Sequence, residues 1–365
     1  MVQSNRRPSS DRYDTVIAGA GPAGIMAARE AAARGTVLLV EASRLPRNKS
    51  CGGMLHEHTQ EFITPFGPVP DDIVLEPRHV DFRYHDWDRR IAKPTSVRFL
   101  NVDRPGFDRW LLGALPDDVE LVEGCPLDAF AQDERGVRAI LRVDGEPLGI
   151  VCENLVGADG ARSMIRRALG IGSVATYVTL QDWLCLDGKL EPYFDCIYMR
   201  GVGDSFAYGY VVPKGDRAIV GSVFYPRTRR PHQKHDQVVR ILRNALPQLG
   251  PRVDREAWVA LSVRSRTDVV PGEGRVLLAG EAGGFMSPTS GEGISYALRS
   301  GALAGRAVAV SSPDEALGVF AASSMPLQRD IRRKLRWLPV MESEFGKYLG
   351  GMTPTSIVSA MTKGL

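Results

Sequence analysis

Cysteine is scarce in this chain of 365 residues. The five present (Cys51, Cys125, Cys152, Cys185 and Cys196) are scattered, odd in number and without a CxxC pair. That usage offers neither a disulfide framework nor a zinc site, and it fits a reducing, cytoplasmic setting. An excess of one charge is also missing, because 46 basic residues against 43 acidic ones leave a net charge of +3. Such a balance gives no basis for a nucleic-acid partner or a polybasic membrane anchor. No apolar run reaches the roughly 18 residues of a membrane-spanning helix, so no integral membrane segment is expected. Residues 1–11 are polar, and although they hold Arg6-Arg7, no apolar stretch follows as a secretion signal requires. The six histidines show no metal-ligand spacing, and no metal site is expected. His232 and His235, in a basic stretch, read as solvated surface. There is no internal repeat and no low-complexity linker. What is there is an ordinary globular balance, 44% hydrophobic and 24% charged. At roughly 150 residues per domain the length favours two or three domains.

The hydrophobic pattern changes character along the chain. Residues 13–18 form a short apolar strand, 19–24 a glycine-rich turn, 25–34 an alanine-rich helix, and 36–41 a buried strand ending in an acid. This is a βαβ opening and implies a parallel sheet. A basic loop follows at 43–53. Short strands with prolines between them are expected over 71–100, a helix over 107–115, and several strands over 119–156, broken by turn signals at Glu134-Arg135-Gly136 and Asp144-Gly145. A helix over 162–169 comes next. Residues 173–264, rich in aromatic and β-branched side chains, predict an antiparallel sheet interrupted by one helix at 237–249. A buried strand at 276–279, a small-residue helix at 294–310 and an amphipathic helical tail from 325 complete the reading.

The strongest local signal is Gly19-Ala20-Gly21-Pro22-Ala23-Gly24, placed between strand and helix, with Glu41-Ala42 closing the second strand. Gly19 permits the tight turn, Gly21 lets backbone approach a pyrophosphate, and Gly24 lets the helix pack on the sheet. Pro22 suits the first helical turn, where its missing N–H has no partner to lose. The helix N-terminus attracts a diphosphate, and the Glu41 carboxylate accepts hydrogen bonds from ribose hydroxyls. On this motif alone FAD and NAD(P) both stay open. Two later segments again follow a strand and open a helix: Gly157-Ala158-Asp159-Gly160-Ala161-Arg162-Ser163, and Gly280-Glu281-Ala282-Gly283-Gly284-Phe285 with Ser287-Pro288 and Gly291-Glu292-Gly293-Ile294. The second of these offers backbone N–H groups and a positive helix end to something anionic.

In this order and at these separations the three motifs resemble the flavoprotein hydroxylase fold, with its glutathione-reductase-type FAD site. The narrower resemblance is to the geranylgeranyl reductase family. It is carried by Lys49-Ser50-Cys51-Gly52-Gly53, by Asp103-Arg104-Pro105-Gly106-Phe107-Asp108, and by Pro288-Thr289-Ser290-Gly291-Glu292-Gly293-Ile294, and the likeness spans about residues 12–310. It implies an α/β fold: a Rossmann-type FAD-binding domain (12–70, 95–172 and 265–324), interleaved with an antiparallel β-sheet substrate domain (71–94 and 173–264), plus a C-terminal helical segment (325–365). By resemblance Glu41 holds the adenosine ribose, and Gly19, Gly21 and Gly24 frame the pyrophosphate. Arg104 lies along the cofactor, and Asp159 supports FAD and transient NAD(P)H. Glu281 stands where the family has an Asp that bonds the ribityl chain. The helix after Gly291 and Gly293 aims its N-terminus at the flavin, where its dipole favours the anionic reduced ring.

Cys51 has two readings, a thiol near the flavin that donates a proton or shapes the pocket, and a small packing residue in a glycine loop. In the run 206–215, which resembles the family's aromatic substrate-sheet motif, Tyr208 and Tyr210 alternate and so share one strand face. That face is either a wall of an apolar substrate cavity, with Pro288 beside it, or a plain strand with cross-strand aromatic pairs. The family's tryptophan in this run is absent. The segment Arg332-Arg333-Lys334-Leu335-Arg336-Trp337-Leu338-Pro339 reads as a helix closing the substrate cavity, or as a peripheral membrane contact.

The expectation is an FAD-dependent oxidoreductase that reduces a carbon–carbon double bond of an apolar or specialised-metabolite substrate, with NAD(P)H or an electron-donor protein reducing the flavin. The alternative on the same fold is a monooxygenase, oxidase or halogenase. Hydroxylases of this group follow the acid motif with Ala-Ala-His, where this chain has Ala282-Gly283-Gly284, and the Trp-x-Trp-x-Ile-Pro run of halogenases is absent. A non-catalytic FAD-binding protein is the third reading.

Overall fold

The computed structural model describes residues 4–47, 49–202 and 206–346. Among them are eight α-helices: α1 (Pro22–Ala31), α2 (Glu57–Ile63), α3 (Arg104–Leu112), α4 (Met164–Ala168), α5 (Pro231–Ala245), α6 (Ile294–Val310), α7 (Ala316–Ser323) and α8 (Met325–Glu342). They are arranged around two sheets, one of nine strands and one of eight.

Five strands at the centre of the first sheet are parallel, in the order Val119–Glu123, Val37–Glu41, Arg12–Ala18, Glu146–Gly157 and Val276–Leu278. A parallel sheet is covered on both faces, so its strands are apolar throughout rather than alternating. Val37–Glu41 is buried at every position. The register pairs Ala18 with both Val40 and Gly157, and Gly157 with Leu278. All three glycine motifs therefore leave the sheet at one edge, side by side. Open α/β sheets bind ligands at this place, beyond the carboxyl ends of their strands.

On one face α1 packs against α6 at unusually short range. A Cβ on Gly301 would lie 2.1 Å from the Ala23 carbonyl oxygen, and one on Gly305 would lie 2.3 Å from that of Ala27. The small residues of 294–310 are thus the contact surface that lets two helices meet backbone to backbone.

The second sheet runs Leu249–Leu261, Thr176–Leu186, Arg217–Phe224, Phe206–Lys214, Tyr193–Tyr198, Val74–Asp86, Ile91–Val102 and Met54–His56. It is antiparallel except where Tyr193–Tyr198 lies parallel to Val74–Asp86. The sequence reading of 71–100 as short strands is corrected here. Two long strands pair as a hairpin and absorb Pro77 and Pro94, with register shifts between Val74 and His79 and between Asp81 and Arg83. Proline is tolerated where the ladder is already interrupted. The sheet also takes in Met54–His56 and continues to Val102, both inside segments read from sequence as FAD-binding.

One face of the second sheet is covered by α5, whose His235, Val238 and Leu242 are buried against it. The helix begins at Pro231, six residues earlier than the pattern suggested, since proline fits the first turn, and it ends at Ala245. This start places His235 on the inward stripe and overturns its reading as solvated surface. The ring is fully buried. Its Nδ1 is 2.8 Å from Ser222 Oγ, and its Nε2 stands 3.3 Å from Asp182 Oδ1, off the line of a hydrogen bond.

Helix α8 buries Leu327 and Ile331 in the apolar cluster that includes α6, and it meets α6 through a buried polar cluster. There Lys334 Nζ donates to Tyr296 Oη at 2.9 Å and pairs with Asp330 at 2.9 Å, and the Tyr296 hydroxyl donates to Asp330. No helix among the described residues is long and apolar enough to cross a membrane.

Candidate FAD and substrate site

Gly19 has φ +105°, and a Cβ there would lie 2.4 Å from the Ala158 carbonyl oxygen. A Cβ on Gly24 would be 1.7 Å from the carbonyl oxygen of Gly19. The turn is thus closed to any side chain, and the first turn of α1 points its free N–H groups across it. Pro22 stands at the start of that helix, and Ala23 is buried behind it. Glu41, buried at the end of the neighbouring strand, accepts from Ala20 N at 2.9 Å and from Ser43 N at 3.0 Å. Ala42 beside it is exposed. Sequence reasoning passed over Arg47. Its Nη2 would stand 2.9 Å from a Cβ on Gly21, its Nε is 3.5 Å from Glu41, and that Nε is buried without a hydrogen-bond partner. A cation laid across the glycine turn beside the N-terminus of α1 suits a diphosphate.

Asp159 receives Met164 N at 2.8 Å and Ile165 N at 3.3 Å on one oxygen, while its other oxygen is buried and unpartnered. Burial pushes its carboxyl above the usual range. An orphaned acceptor at the mouth of the parallel sheet fits a hydroxyl-bearing ligand. Glu281, by contrast, has both oxygens engaged, with Lys49 Nζ at 2.8 Å and Leu261 N at 3.2 Å. Burial opposes its charge, yet Lys49 prevails and holds the carboxyl below its ordinary value. The extra methylene relative to aspartate carries the carboxylate to this lysine. The closed cradle, the helix end, Glu41, Arg47 and the free Asp159 oxygen together fit a bound FAD.

Three further segments meet beside this cradle. In the loop holding Cys51, Gly52 and Gly53, Gly53 has φ +62°, and a Cβ on it would strike the Val102 carbonyl oxygen at 2.2 Å. The Cys51 thiol accepts from Gly53 N at 3.5 Å and interacts with the Arg104 guanidinium. Arg104 is buried at the start of α3, and its Nε donates to Asp108 at 2.7 Å. Burial opposes that charge, but Asp108 and Cys51 hold the guanidinium firmly protonated. The loop with buried Pro288 is tied by Ser287 N to Glu292 O at 2.9 Å, and Gly291 adopts φ +67° before Gly293 and Ile294 open α6. Gly280 likewise turns with φ +59° against Ala23.

The second sheet faces these loops with Tyr208 and Tyr210, whose rings are 6.5 Å apart in one cluster with Val212, Ile219 and Val223. Tyr208 Oη would come within 3.3 Å of a Cβ on Gly291. Tyr210 donates to Gln181 at 2.7 Å; Gln181 donates in turn to Glu256 at 3.1 Å, as does Trp183. Beside the Cys51 loop lies a cavity of about 320 Å³, which Tyr208, Tyr210 and Pro288 do not line. Its lining includes Cys51, Arg104, Gln181, Trp183, Glu256 and Lys214, and none of it comes from α8. Helix α8 contributes no residue to this cavity; its Asp330–Lys334 pair meets Tyr296 of α6, and Glu342 at its end pairs with Arg264. Lys214 was not singled out in the sequence, although it shares the face of Tyr208 and Tyr210 by the strand's period of two.

Comparison with known proteins agrees with an FAD-binding fold. A family model described as FAD binding domain matches residues 12–316. Protein CbrA of Shigella flexneri serotype 5b is 29% identical over 317 residues, 85% of each chain. Protein CbrA of Escherichia coli O9:H4 is 28% identical over 332 residues, 89% of each. A geranylgeranyl bacteriochlorophyll reductase-like protein of Thermoplasma acidophilum superposes with a TM-score of 0.78 at 19% identity, covering 97% of this chain and 92% of that one. PqsL of Pseudomonas aeruginosa, a probable FAD-dependent monooxygenase, does so at 0.70 and 17%, covering 93% and 99%. The flavin-dependent halogenase CmlS does so at 0.69 and 20%, covering 92% and 67%. At these identities the solved structures speak to the fold.

Proposed function

The chain belongs to the FAD-binding domain family and is an FAD-dependent oxidoreductase of that fold; from this premise we propose that it reduces a carbon–carbon double bond of a small metabolite. Bound FAD supplies the two-electron chemistry, and the chain supplies binding, orientation and a proton. The glycine turn and α1 hold the pyrophosphate, with Arg47 over it and Glu41 at the ribose. The N-terminus of α6 offers its positive end to negative charge on the ring. NAD(P)H or an electron-donor protein serves as reductant, and the unpartnered oxygen of Asp159 supports a role for it in a transient dinucleotide contact.

The observation that carries the reading is the place of Cys51. Cys51 lines the cavity beside the second sheet, next to Gly52 and Gly53, and its thiol accepts from Gly53 N and interacts with Arg104. A proton donor there completes the addition of hydrogen across an alkene. A second reading, oxygenation or halogenation, is favoured by one specific feature. Flavin halogenases carry a lysine near the substrate, and Lys214 lines this cavity, although their tryptophan run is missing.

Rapid mixing of photoreduced, FAD-loaded protein with oxygen decides between the two. Slow return of the oxidised spectrum without a transient species supports the reductase. A spectrally distinct species that accumulates before the oxidised flavin returns would sink it in favour of oxygen chemistry.

A further inference from the structure

Lys214 is 3% exposed, and its ammonium is held by the Val102 carbonyl oxygen at 3.0 Å and that of Gly53 at 3.4 Å. Neither partner carries charge. The other three cations of the same cavity differ: Lys49 is paired with Glu281 at 2.8 Å, Arg104 with Asp108 at 2.7 Å, and the half-exposed Arg217 stands 4.0 Å from Asp216. Burying a charge without a counter-charge is costly unless a ligand completes the site. Two carbonyl acceptors also leave the third ammonium hydrogen uncommitted.

The cavity is graded. Its closed end holds Lys214 and Arg104, both buried, together with the buried Val102 and Gln181. Its carboxylates Asp216 and Asp254 are exposed at the mouth, where solvent screens them. Of the other groups facing the lysine, Cys51 and Asp103 attract the ammonium without hydrogen-bonding to it, Asp103 while capping α3 by accepting Gly106 N at 2.8 Å, and Glu256 accepts from Gln181 and Trp183. Trp183 gives the wall a flat apolar surface. At about 320 Å³ the space is at the small end of ligand pockets.

We propose that this cavity binds a small planar carboxylate, its anionic head on Lys214 at the closed end and its apolar body against Trp183. The assignment rests on the reading of the chain as an FAD enzyme acting on a small molecule, and it names the chemical class of that molecule. Burial lowers the Lys214 ammonium to about 7. Anion binding favours the protonated form, so affinity for a carboxylate is full below that point and declines above it.

The test is calorimetric titration of FAD-loaded protein with trans-cinnamate and with its neutral counterpart cinnamamide, at about pH 6 and about pH 9, either side of the lysine's midpoint. We expect cinnamate to bind at least ~10-fold tighter than the amide at the lower pH, a difference of about 1.4 kcal/mol, and to lose most of that advantage at the higher. Lys214→Met should abolish the preference at both values while FAD content and Tm are kept, and Lys214→Arg should keep it at both. The wild-type pH comparison needs no variant to fold. Equal affinity for the two probes, no binding of either up to their solubility, or a preference that survives Lys214→Met overturns the proposal. So does a Lys214→Met variant whose only change is a shifted flavin reduction potential, because the ammonium then serves the cofactor. Loss of the underlying reading looks different: protein that neither retains nor regains FAD.

Discussion

The two sheets meet the ligand site in different ways. The nine-stranded sheet acts through backbone. Glycines at 19 and 24, the open N–H groups of α1 and a strand register that aligns three loops leave room for a cofactor. The eight-stranded sheet acts through side chains, drawn from strands far apart in the chain: Gln181 and Trp183, Tyr208 to Lys214, and Glu256. The first kind of site is governed by what must be absent, a Cβ. The second is governed by what must be paired, and pairing depends on register between distant strands.

The sharpest way to break this contrast is to add atoms on each side of it. Gly24→Val places a side chain 1.7 Å from a backbone oxygen that cannot retreat without opening the Gly19 turn. Overpacking of this kind costs about 1–3 kcal/mol or more. FAD affinity is expected to fall by at least ~100-fold, read by equilibrium titration of apoprotein with FAD. Retained affinity would mean that the turn is not the pyrophosphate cradle. The matching change in the second sheet is Gly221→Ala, whose Cβ would stand 1.9 Å from Tyr210 Cζ. Here the obstacle is a ring, and the ring can swing away from Gln181. We expect a loss of about 1–3 kcal/mol, seen as a lower Tm, with FAD content unchanged. A variant that loses FAD as readily as Gly24→Val would erase the distinction between the sheets.

The same contrast explains what the sequence made legible. The three glycine motifs stood out because a cofactor cradle constrains residue type at fixed local spacing, and the parallel sheet followed from Gly19 to Gly24 together with Glu41. Arg47 was hidden, since a lone arginine in a basic loop has no pattern that says it folds back over Gly21. His235 was misread because helix α5 begins at Pro231, which turns a basic surface stretch into one with a buried stripe. The long strands over Val74–Asp86 and Ile91–Val102 are interrupted in the sequence pattern by Pro77 and Pro94, which bulged register accommodates. Lys214 was within reach. Tyr208, Tyr210, Val212 and Lys214 are successive residues of one strand face, so the rule that grouped the tyrosines also places the lysine beside them. What no local rule supplies is the approach of Val102 and Gly53 that strips Lys214 of water.

The smallest expected effect sharpens the comparison on the side-chain sheet alone. Glu256 is half-buried, and burial raises its carboxyl above the ordinary 4.5, an effect only partly offset by the hydrogen bond from Trp183. The folded protein therefore keeps this proton over a pH range in which the unfolded chain has released it. The stabilisation linked to that proton is complete below about 4.5 and is lost as pH rises through the raised value. Glu256→Gln has no proton to release, so the stability of wild type minus variant should decline across this mildly acidic window and then stay level to neutrality. A shift of one unit corresponds to about 1.4 kcal/mol. Solvent screening of a partly exposed group brings the expected slope below about 1 kcal/mol in total. Urea unfolding of both proteins at closely spaced pH values measures it. A difference that instead grows with pH would mean that the charged carboxylate is the preferred partner of Trp183 and Gln181. The acidic rim of the cavity would then be held in place by its hydrogen bonds more strongly than it is opposed by burial.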